Sequence, residues 1–171
     1  EVSGNWNPAT HARPIGSRQL AVGSGPERGI AVELPQIVTS SDKEIIIPVR
    51  VQGAANKEII SYEFDLRYDP AVIQPQAVPV DVAKTVSRGL MVVTNPNEPG
   101  LLRVVVYGPL PIDENGLLLN LIFTAVGAVG SISSLTFERI MFNEGEPRVE
   151  FTDGQIEISR SDRKTTSYSE N

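Results

Sequence analysis

The segment from Glu58 to Gln76, EIISYEFDLRYDPAVIQPQ, alternates apolar and polar side chains from residue 60 to residue 69. Such alternation predicts a β-strand with one buried face and one solvent-exposed face. The strand is predicted to end at Asp69, because Pro70 has no N–H to give to a neighbouring strand and restricts the residue before it. The apolar face, which we expect to fill a core, consists of Ile60, Tyr62, Phe64, Leu66 and Tyr68.

Similar patterns recur between residues 29 and 159, where about nine strand-like segments are separated by turn residues. This succession predicts an all-β protein, a β-sandwich or jelly roll. Asp153-Gly154 predicts a tight hairpin, because both residues accept the positive φ of such a turn. Only Val80–Arg88 suits a short helical turn. Two more apolar faces are predicted, one of Ile45, Ile47, Val49 and Val51 and one of Leu117, Leu119, Leu121, Phe123 and Ala125.

The two ends differ from this body in composition. Residues 1–28 are rich in Gly, Pro, Ser and Asn and predict an extended or irregular N-terminal arm, with one strand candidate at Gln19–Val22. Residues 160–171 predict a polar C-terminal tail. The only tryptophan, Trp6, either anchors the arm to another molecule, as tryptophans in binding hot spots do, or folds back on its own domain. The residues predicted to form an interface are Val2, Trp6, Leu20, Val22 and Tyr168.

The charge distribution narrows the choice of partners. Residues 29–159 hold 17 acidic and 9 basic side chains and thus carry a net charge of −8, whereas each end carries +1, which gives −6 for the chain. An acidic body argues against nucleic acid as a partner. Basic ends and acidic bodies favour the encounter of one copy with another. No apolar run approaches the ~20 residues of a membrane-spanning helix.

Few residues suggest chemistry. His11 is the only histidine and has no nucleophile or ligand cluster beside it in the sequence. Asp65 and Asp69 are better interpreted as a solvated strand face than as a glycosidase pair. Asp113-Glu114-Asn115-Gly116 offers oxygen atoms for Ca²⁺, but without the spacing of a dedicated calcium loop, so a turn is the stronger interpretation. We therefore expect no catalytic residue and no cofactor, with Ca²⁺ the one candidate ion.

Several stretches resemble cohesin modules. The strand FDLRYDPAVI resembles the third-strand signature of that family, GLLLNLIFTAVGAVGSISSLTFER is similar to its later strands, and EFTDGQIEI resembles its closing hairpin. The resemblance covers residues 29–159 in the family's order, and the two ends match nothing in the pattern. It implies a nine-stranded jelly-roll β-sandwich that binds a dockerin or otherwise joins surface proteins. It also implies an extracellular or cell-surface location.

Three functions follow as hypotheses. The first is a non-catalytic extracellular assembly protein whose terminal arms add as strands to neighbouring copies, forming a filament or surface layer. The alternative is a cohesin-type module that binds a dockerin-like partner. A carbohydrate-binding module is disfavoured, because aromatic residues make up only 6% of the chain. The first residue is Glu1 rather than methionine, which removal of a leader and trimming of a longer sequence explain equally well.

Overall fold

The computed structural model describes residues 29–160, and the predicted interface residues of both ends lie outside this range. Within it the chain folds into two packed β-sheets without a helix. The strands are β1 (Ile30–Glu33), β2 (Gln36–Thr39), β3 (Glu44–Gln52), β4 (Ile59–Arg67), β5 (Ile73–Asp81), β6 (Met91–Glu98), β7 (Leu101–Ile112), β8 (Gly116–Ala125), β9 (Ile132–Phe142), β10 (Val149–Thr152) and β11 (Gly154–Ile158). One sheet has the order β10-β1-β3-β8-β5 and the other β2-β11-β9-β4-β7-β6.

Eleven strands appear in place of nine because the first and last long strands are each broken in two. The first half of each lies in the five-stranded sheet, where β1 runs parallel to β10, and the second half lies in the six-stranded sheet, where β2 runs parallel to β11. Hydrogen bonds continue through both breaks, since Leu34 N donates to Thr152 O (3.0 Å) and Gln155 N donates to Pro35 O (3.1 Å). The two strands therefore cross between the sheets side by side.

The hairpin predicted at Asp153-Gly154 is wrong. β10 and β11 do not pair with each other but belong to different sheets, so these two residues form a crossing rather than a turn. Asp153 instead accepts a hydrogen bond from Phe137 N through its Oδ1 (3.2 Å). The local sequence does suit a hairpin, but pairing with β1 and β2 decides the path of the chain.

The crossing requires glycine at position 154. A Cβ atom added there would lie 2.8 Å from Leu34 Cβ and would also clash with the carbonyl oxygen of Pro35. Gly154→Ala is therefore expected to lower the free energy of unfolding by about 1–3 kcal/mol, as overpacking does, measured by chemical denaturation. Gly108→Ala is the control, because its clash is with Leu90 Cδ2 (2.5 Å), the mobile end of a side chain. Equal losses in the two variants would contradict this explanation.

The core confirms most of the predicted apolar faces. Tyr62, Phe64, Leu66 and Tyr68 of the alternating segment are buried. Ile60 is not: it is 50% exposed, and Ile59 takes the buried position. The cause is an irregularity in the pairing of β4 with β7, where Ile59 pairs with Ile112 and Ser61 with Tyr107. The faces predicted for β3 and β8 are buried, except for Leu117. A similar shift in the pairing of β8 with β3 turns Leu118 inward and leaves Leu117 half-buried. The buried residues of these two faces are Ile45, Ile47, Val49, Val51, Leu119, Leu121, Phe123 and Ala125.

β4 ends at Arg67, two residues before the end predicted at Asp69-Pro70, and the chain turns at Asp69-Pro70 as predicted. Asp69 closes the turn that follows, since its Oδ1 accepts from Ala71 N (2.8 Å) and its carbonyl oxygen accepts from Ile73 N (3.0 Å). The turn carries the chain from β4 in the six-stranded sheet to β5 in the five-stranded sheet. Residues 82–90, near the proposed helical turn, form successive turns, such as the one closed by Arg88 N and Thr85 O (3.1 Å).

Candidate protein-binding face

Four neighbouring strands of the six-stranded sheet, β9, β4, β7 and β6, form one part of its outer face. Because alternate residues of β4 point into the core, Glu63, Asp65 and Arg67 point outward. Paired residues of neighbouring strands lie side by side across this face. Val105 of β7 lies beside Glu63 of β4 and, in the other direction, beside Val93 of β6. The face thus divides into an apolar and a charged region.

The apolar patch lies on β6 and β7 and consists of Met91, Val93, Val105 and Tyr107. Met91 pairs with Tyr107 and Val93 pairs with Val105, so the four side chains are neighbours on one surface. All four are exposed, Met91 and Val93 to 60% and 53%. Contiguous exposed apolar surface of this kind is typical of protein interaction sites. The patch is therefore a surface of the described chain that suits a protein partner.

The charged patch lies beside it and consists of three arginines and four acidic residues. Arg67 donates to Glu138 (2.5 Å) and to Glu98 (3.3 Å), and Arg103 also donates to Glu98 (3.0 Å). The other two ion pairs are Arg103 with Asp65 (4.0 Å) and Arg139 with Glu63. Exposed pairs contribute little to folding stability, but they hold charged groups in place for a partner.

The hydrogen bond from Arg103 is the main reason why the pKa of Glu98 lies below its usual value, and Arg67 adds to the effect. The hydrogen bond to Glu138 likewise raises the pKa of Arg67 above its usual value. The pKa of Glu98 is lowered on folding, so its ion pairs are complete at any pH above the ordinary pKa of a glutamate. They are lost only as the pH falls through the lowered pKa. Glu98 and Arg67 are thus both charged at neutral pH.

The residues considered as candidates for catalysis or Ca²⁺ binding make structural contacts in the described part of the chain. Asp113 Oδ1 accepts from Asn56 N (2.6 Å) and Asn115 Oδ1 accepts from Ala54 N (2.9 Å), which ties the β7–β8 loop to the β3–β4 loop. Asp65 faces Arg103 and Asp69 closes its turn, as described above. Within residues 29–160, no group of three or more His, Cys, Asp or Glu residues is arranged to hold a metal ion. His11 lies outside the described residues.

A carbohydrate platform is not evident in the described part of the chain. Of the aromatic residues between 29 and 160, only Tyr107 and Phe151 are strongly exposed. They belong to β7 and β10, which lie in different sheets, so the two rings share no surface. The same part of the chain contains no helix long and apolar enough to cross a membrane.

Sequence reasoning found the charged region but missed the apolar patch. Glu63, Asp65 and Arg67 belong to the polar face predicted for β4. In β7 the run Val104-Val105-Val106 is apolar on both faces and shows no alternation. The pairing with β4 was needed to place Val105 outside and its two neighbours inside. The available sequence signal for the apolar patch was this run of three valines, with a charged residue before it and a tyrosine after it.

Comparison with known proteins identifies the family. A family model described as the cohesin domain matches residues 30–158. A search of curated proteins finds no match. Solved structures share the fold: the third cohesin of ScaC from Acetivibrio cellulolyticus, in complex with the ScaB dockerin, has a TM-score of 0.65 and 18% identity over 77% of this chain and 99% of that chain.

Two other structures show the same similarity. A chain of the OlpA cohesin–dockerin complex from Clostridium thermocellum has a TM-score of 0.62 and 18% identity, covering 77% of this chain and 99% of its own length. A non-cellulosomal cohesin from the archaeon Archaeoglobus fulgidus has a TM-score of 0.64 and 18% identity, covering 78% and 93%. The family model spans almost the whole sandwich, and the jelly-roll architecture agrees with it. The chain therefore belongs to the cohesin domain family.

Proposed function

We propose that this chain is a non-catalytic protein-interaction module that binds a dockerin-like partner through the apolar and charged patches of its six-stranded sheet. The observation that carries the proposal is the apolar patch, whose four side chains are exposed together on two paired strands. Dockerins are the partners named for two of the similar structures, the ScaC and OlpA cohesins. An extracellular or cell-surface location belongs to the same proposal.

The arrangement of the two patches supports binding rather than catalysis. Protein interfaces commonly combine an apolar centre with a polar rim, and tyrosine and arginine are enriched among the residues that dominate affinity. Here Tyr107 and Val105 lie next to the arginines and carboxylates of β4, β7 and β9. The ion pairs between strands already hold Arg67 and Arg103 in position, so little side-chain entropy is lost when a partner pairs with them.

A substitution in the apolar patch tests the proposal. Tyr107→Asp should weaken binding of a dockerin by roughly thirtyfold or more, the factor that corresponds to a hot-spot loss of ~2 kcal/mol. Binding would be measured by calorimetry against a panel of purified dockerin domains. Ile46→Asp is the matched control, because Ile46 is also an exposed apolar strand residue but lies on the outer face of the other sheet.

The results separate the alternatives. Loss of binding only in Tyr107→Asp, with unchanged circular dichroism in both variants, would support the proposed face. Equal loss in both variants, or no loss in either, would reject that face. If the unmodified chain binds no dockerin of the panel, the proposal of a dockerin-like partner is wrong.

A further inference from the structure

The loop between β7 and β8 contains the only Asn-Gly pair of the sequence, Asn115-Gly116. In such a pair the backbone nitrogen of the second residue can attack the side-chain amide carbon of the first, because glycine has no side chain to hinder the approach. This reaction is one reason why asparagine is a thermolabile residue. The surroundings of the pair decide whether the fold protects it or promotes its reaction.

The fold itself requires the two features that make this pair reactive. Gly116 has a φ of +143°, a conformation that residues with a side chain rarely adopt. Asn115 Oδ1 is the acceptor for the backbone N–H of Ala54, a fully buried residue, and loss of this acceptor would leave that N–H unpaired. A glycine is therefore needed at position 116, directly after a side chain that must offer an oxygen atom.

The pair is also accessible to the reaction. Asn115 is exposed and lies outside the strands, and Gly116 is the first residue of β8. Gly116 pairs with Val51, and this pair is the last of the ladder between β3 and β8. The ends of a ladder open more easily than its middle. The nitrogen of Gly116 can thus reach the side chain of Asn115 without unfolding of the domain.

A backbone donor lies at the atom on which charge develops in this reaction. When a nitrogen attacks Cγ of Asn115, the electron pair of the C=O bond moves to Oδ1, which becomes negative. Ala54 N donates to this oxygen at 2.9 Å. Backbone N–H groups in such a position stabilise the tetrahedral intermediates of acyl transfer, as in an oxyanion hole. The hydrogen bond that ties the two loops together therefore also favours attack on the amide.

The other described asparagines do not combine these features. Asn143 Oδ1 likewise accepts from a backbone N–H, but a glutamate follows it in the chain. Asn95 Oδ1 accepts from a backbone N–H as well, but Pro96 follows it and has no N–H with which to attack. Within residues 29–160, a following glycine and a donor at Oδ1 occur together only at Asn115.

We propose that Asn115 is a site of spontaneous deamidation, with the backbone nitrogen of Gly116 as the nucleophile. The bond from Gly116 N to Cγ forms and the bond from Cγ to Nδ2 breaks. The proton of the Gly116 N–H passes through water to Nδ2, which leaves as ammonia, and a five-membered succinimide remains. Water then adds to either carbonyl carbon of the ring and opens it, to aspartate or to isoaspartate. Neither step changes an oxidation state.

The two products differ in their effect on the loop. Aspartate keeps an acceptor oxygen for Ala54 N, so the tie between the β7–β8 loop and the β3–β4 loop persists. In isoaspartate the backbone runs through the former side chain and is longer by one methylene, which displaces the acceptor and breaks the tie. Either product adds a negative charge beside Asp113 and Glu114. The change is irreversible and independent of the proposed function, and its test contains no dockerin.

Ageing of the full-length chain at neutral pH and physiological temperature tests the proposal. Peptides from a digest would be separated and analysed by mass spectrometry, which detects the replacement of an amide by a carboxylate. The peptide with Asn115 should lose its amide at least about tenfold faster than the peptides with Asn56 or Asn143. It should give two products of equal mass, one of which elutes with the corresponding peptide of the Asn115→Asp variant.

Two further measurements examine the nucleophile and the donor. Asn115→Gln should keep its amide over the same time, because its longer side chain would have to close a six-membered ring. The folded chain should react at least as fast as the chain unfolded in guanidinium chloride, in which Ala54 no longer faces Asn115.

The proposal is wrong if Asn115 keeps its amide as long as Asn143 does, or if Asn115→Gln reacts at the rate of the unmodified chain. Aspartate as the sole product would also overturn it, since direct hydrolysis would then bypass the nitrogen of Gly116. A folded chain that reacts much more slowly than the unfolded chain would mean that the fold protects the pair instead of promoting its reaction.

Discussion

Replacing Phe64 with alanine is expected to lower the free energy of unfolding by about 3–5 kcal/mol, the usual cost of removing a buried ring. Phe64 is only 1% exposed, and its ring packs edge-to-face on Phe137 with a centroid distance of 5.4 Å. It lies in the middle of β4, between β7 and β9. Since small domains are stable by only about 5–15 kcal/mol, the variant should unfold at a much lower denaturant concentration, measured by urea titration.

Phe151→Ala is the matched control for this loss. It removes the same atoms and the same kind of ring contact, since Phe151 also packs on Phe137, at 5.8 Å. Phe151, however, is 46% exposed on the edge strand β10, so less apolar surface returns to water. We expect less than half the loss found for Phe64→Ala. If the two variants lose the same amount, burial in the sandwich is not what makes Phe64 important.

Trp6→Ala is expected to abolish self-assembly of the full-length chain. If the N-terminal arm of one copy docks on the body of another, with Trp6 in an apolar site, truncation of the ring costs about 3–5 kcal/mol. Each contact would then weaken by roughly a hundredfold or more, because ~1.4 kcal/mol corresponds to a factor of ten. Negative-stain microscopy of the purified chain would show the loss of filaments directly.

The stability of the monomer distinguishes this contact from the folding of the domain itself. An arm that docks on the next copy can continue into a filament, because such a contact need not close on itself. The melting temperature of the dilute monomer should stay nearly unchanged in Trp6→Ala. The arm-docking hypothesis is wrong if this variant assembles normally. It is also wrong if the variant loses as much monomer stability as Phe64→Ala does.

The sequence predicted the fold where strands are regular. Ile45 to Val51 of β3 and Tyr62 to Tyr68 of β4 alternate without interruption, so hydrophobicity alone assigned their faces correctly. It failed at Ile60 and Leu118, because each lies where the pairing shifts by one residue. Such a shift reverses the faces on one side of it, and it depends on the partner strand. The crossing at Asp153 was missed for a similar reason, since β1 and β2 determine it.

The candidate face was less predictable than the fold. Glu63 and Arg67 were recognised as polar and exposed, but their ion pairs join β4 to strands far away in the sequence. The apolar patch combines Met91 of one strand with Tyr107 of another, and only the pairing of β6 with β7 brings them together. Val2, Trp6, Leu20, Val22 and Tyr168 remain predictions, because they lie outside the described residues.

The paired crossing of the first and last strands has a mechanical consequence. Ile30 at the start of β1 lies beside Val149, while Ile158 at the end of β11 lies beside Thr39. The chain therefore enters and leaves the sandwich at opposite ends of two parallel strands, and tension applied through its two termini acts along them. Their hydrogen bonds are then loaded together, in shear, rather than opened one after another. A sandwich connected in this way is suited to carrying a pulling force between whatever is attached at its two ends.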